Sequence, residues 1–492
     1  MILKIKKNYN MMKKIVILTI TTWFLFGCQQ NKTNLKLKEV NTIITNGIIV
    51  TVDSAGTIFP NGAIAIDGDQ IIAIGNNNDV MSKYRSNNVI DAKGKIVMPG
   101  LINCHTHLSM TLFRGLADDL ELQDWLTKYI FPAEAEFMNA ESVELGAQLA
   151  MIEMIRTGTT TFNDMYFYED IVAQVAKKVG MRGVVSESLI DFPVPNSKTS
   201  EEGISHIRKL AAKYKNDSLI TVGLAVHSPY TCGPELLKRA KEIATELKLN
   251  YHIHVAETKW EVDTIYKLYK LTPVEYLDKL GVLGQNTIAA HSVWLTDNDI
   301  EIFAKRGVSV AHNPECNMKL SSGAASIERM GELNCNVGLG TDGVASNNNL
   351  NMFEELHTMA LLAKLSTGKP TSIPAETAIR IATINGAKAL GLMNKIGSLE
   401  VGKKADIILI NVNRPNTTPL YNVYSTLVYS VNANDVTDVI INGKFVMQNS
   451  ILLNINEDEV MNKVRIRARA IAKKLKEKNP DHVFINLLDS LQ

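Results

Sequence analysis

Between residues 99 and 395 the chain alternates short apolar runs with stretches of helical period. The runs are KIVMPGLINCHTH, GTTTFNDMY, MRGVVSESLI, LITVGLAVHSPY, NYHIHVAET, TIAAHS, GVSVAHNP and NVGLGTDG. Each is short and strand-like, with helical patterns filling the gaps between them, which predicts alternating strands and helices. In the gaps, ESVELGAQLAMIEMIRTG and GPELLKRAKEIATELKL repeat their apolar residues at helical spacing. Eight strands alternating with helices predict an α/β chain folded as a (β/α)8 TIM-like barrel, whose chemistry sits at the carboxyl ends of the strands.

The flanks have a different texture. TIITNGIIVTVD, GAIAIDGDQIIAIG and VIDAKGKIVMPG precede the barrel and turn at Asn-Gly, Asp-Gly and Lys-Gly; GSLEVGKKADIILINV and VTDVIINGKFVMQNS follow it. Paired across the barrel, they predict a small discontinuous β-sandwich domain from residues 40–98 and 396–452. The tail, 453–492, contains NEDEVMNKVRIRARAIAKKLKEKN, a helical pattern with a basic face. It is expected to pack through Val460, Val464 and Ile471, with a membrane-surface or nucleic-acid role as the alternative.

The first residues belong to targeting, not to the fold. Lys4, Lys6, Lys7, Lys13 and Lys14 precede IVILTITTWFLF, an apolar run short for a membrane span and suited to a signal peptide over 1–27. The run ends in LFGCQQ, which resembles a bacterial lipobox. It implies lipidation of Cys28, a polar tether over 28–39, and an exported protein held to a membrane through its lipid anchor alone. A plain signal peptide or a signal anchor is the alternative.

Lys and Arg total 52 against 51 Asp and Glu, so no basic field points to nucleic acid and a small-molecule partner is expected. A homo-oligomer is compatible with this balance. Cys104, Cys232, Cys316 and Cys335 have no disulfide-framework spacing and read as free buried thiols, the first two inside strand-like segments.

Candidate chemistry gathers at the strand ends. His105 and His107 close the first strand, and a period of two sends both side chains into the barrel mouth. His254 and Glu257 close the fifth, His291 the sixth and Asp342 the eighth. Imidazoles and a carboxylate with one position open to water are the ligands of a catalytic divalent transition metal. His252 faces the same way as His254 and is a competing ligand one layer deeper; His312 is expected to fix a loop. No His-x-Glu followed by Pro-Cys-x-x-Cys occurs, which excludes the cytidine-deaminase type of zinc site.

PGLINCHTHLSMTLFRGLADDLELQDWL, HVAET, AHNPECNMKL and GTDGVASNNNLNMFEEL resemble the amidohydrolase superfamily, in particular its branch of 5'-methylthioadenosine/S-adenosylhomocysteine deaminases, over residues 40 to 450. The resemblance implies one divalent metal, zinc with ferrous iron as the alternative, held by His105, His107, His254 and Asp342. A two-metal member would carry a bridging lysine at the end of the fourth strand, where this chain reads AVHSPYT. The resemblance also implies catalytic roles for Glu257 as proton carrier, His291 beside the attacking oxygen and Asp342 as proton acceptor. Trp125, Glu134, His227 and Glu257 are the implied substrate contacts. Relatives that clamp a homocysteine tail place an arginine where this chain has Glu187, so Glu187 is expected to repel that tail and favour an uncharged 5' end. The implied reaction is hydrolytic deamination of an adenine-type nucleoside, a small heterocyclic substrate. An aminohydrolase of another heterocycle, or a binding lipoprotein on an inactive barrel, are the alternatives.

Overall fold

The computed structural model describes residues 37–478. The signal peptide, Cys28 and tether residues 28–36 lie outside the described residues, as do residues 479–492 of the tail. The barrel strands are β1 (Leu101–Thr106), β2 (Thr159–Tyr166), β3 (Arg182–Leu189), β4 (Ile220–Val226), β5 (Tyr251–Val255), β6 (Thr287–His291), β7 (Ser309–His312) and β8 (Asn336–Leu339). They form one parallel sheet in chain order. All but the first residue of β8 and Thr221 in β4 are buried, as strands covered by helices on one side and packed side chains on the other must be.

The seam between β8 and β1 is closed by side-chain and backbone hydrogen bonds. Asn103 accepts from Thr341 N at 3.2 Å and donates to Thr341 Oγ1 at 2.8 Å. Asp342 N donates to His105 O at 2.9 Å, and Thr106 Oγ1 donates to Asp342 O at 3.1 Å. This stitching fixes Asp342 beside the β1 histidines. Below them, Ile102, Cys104, Val184, Ile288 and Ala311 pack against Ala387, Leu390 and Ile396, which plug the amino end of the barrel.

The run read as one first strand is two. Lys95–Pro99 pairs antiparallel with Ile407–Asn411 in the outer sheet, and the chain then crosses into β1 at Gly100. A Cβ at Gly100 would lie 2.1 Å from the Thr160 side chain, so only glycine permits the crossing. Cys232 also departs from expectation, sitting in the turn after β4 and not in a strand. All four cysteines of the described residues are free and buried.

The two β-rich flanks join in one nine-stranded sheet, with Lys95–Pro99 and Ile407–Asn411 at the junction of its halves. The sheet curls back on itself: Ile71 N donates to Lys403 O at 2.9 Å and Gly402 N to Ile71 O at 2.8 Å. Ile44, Ile64, Val97, Ile407, Leu409 and Ile440 fill the curl. The helix Glu457–Lys478 returns to the barrel, burying Val460 and Ile471, half-burying Val464, and donating from Arg467 to Ser142 Oγ and Phe137 O.

One buried ion pair locks the barrel to this sheet. Arg182, at the start of β3, donates to Asp406 through Nε at 2.6 Å and Nη2 at 3.0 Å, and through Nη1 to Ser218 O at 2.6 Å. Both side chains are almost fully buried. Asp406→Ala strands a buried guanidinium, and a loss of about 3–5 kcal/mol in urea unfolding is expected. A change below 1 kcal/mol would show that water reaches the pair.

Candidate active site

Strand geometry brings the predicted histidines to one point. His107 Nδ1 donates to Met165 O at 2.5 Å and His254 Nδ1 to His227 O at 2.6 Å. A carbonyl can only accept, so each ring keeps its Nε2 lone pair for the centre of the mouth. His105 Nδ1 and His252 Nε2 share a hydrogen bond of 3.0 Å. His252 therefore supports His105 from the layer below and is not a competing ligand. Asp342 follows β8 with φ 62°, a left-handed conformation that aspartate tolerates better than most residues. Its Oδ1 lies 3.2 Å from Nε2 of both His105 and His107.

One donor atom each from His105, His254, His291 and Asp342 lie within 4.8 Å of one another, and His107 joins them through Asp342. His105 Nε2 is buried and, despite its nearness to Asp342, has no hydrogen-bond partner. An orphaned buried nitrogen is costly unless a ligand occupies it. With imidazole and carboxylate donors around it, the centre fits a divalent transition cation. Burial pushes His105 down to about 4 against the pull of Asp342. Burial opposes a charge on His107 too, but the hydrogen bond and charge of Asp342 raise it to about 9. A cation binding here therefore displaces a proton.

The Glu257 carboxylate is held in place from behind. Glu261 accepts from Ala256 N at 2.7 Å and from Glu257 N at 3.0 Å, gripping the left-handed turn at Ala256 that aims Glu257 into the mouth. Burial raises the Glu257 pKa, partly offset by His291. His291, also left-handed, pairs through Nδ1 with Asn317 Oδ1 at 2.9 Å, and its Nε2 is 3.8 Å from Glu257 Oε2. Asp342 Oδ2 accepts from Cys316 Sγ at 2.8 Å and Ser346 Oγ at 2.9 Å. Sequence reasoning missed Glu261, Asn317, Ser346 and Cys316 as supports. Cys316 and Asn317 stand in the AHNPECNMKL segment, but its cysteine reads there as an inert thiol.

A cavity of about 880 Å³, its open mouth included, rises from these groups. Trp125, Glu134 and His227 all line it, as expected. Trp125 spends its indole N–H on Ala117 O at 3.1 Å, so its ring is what remains to offer a ligand. Glu134 accepts from Tyr166 Oη at 2.7 Å; burial lifts its pKa to about 7, against the Tyr166 hydrogen bond. Burial first, then neighbouring histidine charge, pushes His227 down to about 3, so its ring is neutral. Phe131, Phe192, Ile190, Pro193 and Val194 form an apolar outer wall, and among the described residues no lysine or arginine lines the cavity.

Glu187 does not act as expected. Along β3, Ser188 lines the cavity while Glu187 points outward to the helices, accepting from Glu169 N at 3.1 Å and Asn196 Nδ2 at 2.6 Å. Alternation along the strand puts neighbours on opposite faces, so Glu187 cannot repel a ligand by contact.

Histidines and an aspartate converging at the carboxyl end of a parallel barrel, under an open cavity, define a metal-dependent hydrolase. The chain belongs to the amidohydrolase family, whose sequence pattern matches residues 96–446. It is 45% identical over 441 residues to 5-methylthioadenosine/S-adenosylhomocysteine deaminase 1 of Syntrophus aciditrophicus (strain SB), covering 90% of this chain and 100% of that protein. It is 44% identical to the 5'-deoxyadenosine deaminase of Methanosarcina acetivorans, covering 87% and 98%. The crystal structure of a zinc-bound adenosine deaminase from Xanthomonas campestris superposes with a TM-score of 0.88 at 36% identity, covering 89% of this chain and 100% of that one.

Proposed function

We propose that the protein is a metal-dependent deaminase of adenine-type nucleosides whose 5' end is small and uncharged. The observation that carries this reading is the cavity itself: metal-ligating and proton-carrying groups at the floor, an aromatic and apolar outer wall, and, among the described residues, no lysine or arginine along it. The names of the relatives support the adenine nucleoside, and the zinc in the solved adenosine deaminase supports zinc over ferrous iron.

His105, His107, His254 and Asp342 would hold one cation, which when bound lowers the pKa of its water from about 16 to roughly 7. Asp342, its Oδ2 occupied by Cys316 and Ser346, turns Oδ1 to the histidine cluster, where it takes a proton from the attacking water. His291, anchored at Nδ1, turns Nε2 to the same water and orients it. Glu257 gives a proton to the ring nitrogen beside the amine-bearing carbon, a role that a pKa raised by burial favours. Water adds to that carbon, the carbon–nitrogen bond to the exocyclic amine breaks, and ammonia leaves with the second proton. Trp125 packs on the nucleoside, His227 contributes a neutral contact, and Glu134 accepts from the ribose hydroxyls with the oxygen that Tyr166 leaves free.

The outer wall sets the 5' preference. Phe131 and Phe192 meet edge to face at 5.4 Å, and Phe131 lies 6.0 Å from His227. A homocysteine tail would bring a carboxylate and an ammonium to this wall with no ionic partner, at about 1–3 kcal/mol or more. Competition assays are expected to give 5'-deoxyadenosine and 5'-methylthioadenosine at least roughly tenfold higher kcat/KM than S-adenosylhomocysteine. Equal values would refute the uncharged-end assignment. The leader and its lipobox support an exported enzyme anchored through Cys28 and working on nucleosides outside the cell.

A further inference from the structure

A second set of donors converges beside the first. One donor atom each from Glu257, His291 and Cys316 lie within 4.8 Å of one another, and His291 belongs to both sets. All three side chains are buried. Asp342 faces both groups with one oxygen each: Oδ1 lies 3.2 Å from His105 and His107, and Oδ2 lies 2.8 Å from Cys316 Sγ. A carboxylate placed this way has the arrangement of a bridge between two cations. We propose that Glu257, His291 and Cys316, with Asp342 Oδ2 as bridging donor, form a second, weaker divalent-cation site whose occupancy silences the enzyme.

The donor chemistry selects the ion. One sulfur, one imidazole nitrogen and carboxylate oxygens suit zinc or cadmium and not magnesium or calcium. His291 Nδ1 is committed to Asn317, which leaves Nε2 available on the Glu257 side. Binding replaces the thiol proton of Cys316 with the metal and releases that proton to solvent. No oxidant or further reactant is needed. This set shares His291 and the Asp342 carboxylate with the first, so it fills only after the sulfur-free centre. Inhibition rests on the reading of Glu257 as proton carrier: a carboxylate committed to a cation no longer delivers a proton, and a second ion closes the approach to His291.

The test uses the full chain loaded with one equivalent of zinc and titrated with cadmium. The thiolate-to-cadmium ultraviolet band and ammonia release from 5'-deoxyadenosine are followed together. The band is expected to grow with about one further equivalent, while the rate falls in step by roughly a hundredfold or more. Cadmium displaced into the first centre gives no such band, because that centre holds no sulfur. The Cys316→Ser chain, compared with its own one-zinc rate, is expected to show neither band nor stepwise inhibition. Absence of the band in the unaltered chain, its persistence in Cys316→Ser, or a band without loss of rate would each overturn the proposal. If the serine variant does not fold, X-ray absorption of the cadmium-loaded chain decides, with one sulfur neighbour expected and none contradicting. A one-zinc chain that deaminates no adenine nucleoside refutes the deaminase reading, whereas the band still decides on the site.

Discussion

The His254→Ala chain is expected to bind zinc at least about a hundredfold more weakly and to release ammonia at least about 10³-fold more slowly, at any nucleoside concentration. His254 has no second duty that would blur the result: its Nδ1 is spent on His227 O and its Nε2 faces the donor cluster. The three remaining donors leave a cation less firmly placed, and without it water must attack with a pKa near 16. Zinc content by plasma emission and the ammonia-release rate at saturating substrate check the two halves. Full zinc content with full activity would move the metal centre elsewhere.

Glu257→Gln is expected to separate chemistry from binding. The amide keeps the size and most contacts of the glutamate but cannot carry a proton, and positioned proton transfer contributes about 10²–10⁴ in rate. The kcat is expected to fall by that amount, with the first zinc still bound and KM changed only a fewfold. Glu257 is not among the four closest donors of that centre, and its backbone remains gripped by Glu261. Because a proton donor fails once it ionises, the alkaline limb of the pH–rate profile should vanish with it. A variant retaining near-normal kcat would give the proton to another group.

Much of this site was legible before the fold was known, for a physical reason. Barrel strands are short, apolar and alternate their faces, so His105 and His107 two apart, and His254, Glu257, His291 and Asp342 at the ends of three later strands, project to one mouth. The supports were not legible, because what makes them supports is proximity across distant segments. Cys316 reaches Asp342 from 26 residues away, and His252 meets His105 across 147. Glu261 has the ordinary look of an acidic residue in a helix's first turn, yet its carboxylate turns back to hold Ala256 and Glu257. Glu187 was misplaced because a family position was carried over without its strand face. Alternation sets it opposite Ser188, and only the phase of β3 in the barrel says which of the two looks inward. The split of the first run at Gly100 was hidden for a similar reason, since the Thr160 side chain that excludes a Cβ lies on the next strand.

The most direct measurement of the central claim is the initial rate of conversion of 5'-deoxyadenosine to its hypoxanthine product, followed in the ultraviolet as zinc is returned to metal-free protein. The account predicts a rate near zero without metal and a linear rise that breaks at one zinc per chain. A rate independent of zinc, or none at any zinc content with the metal demonstrably bound, would contradict it.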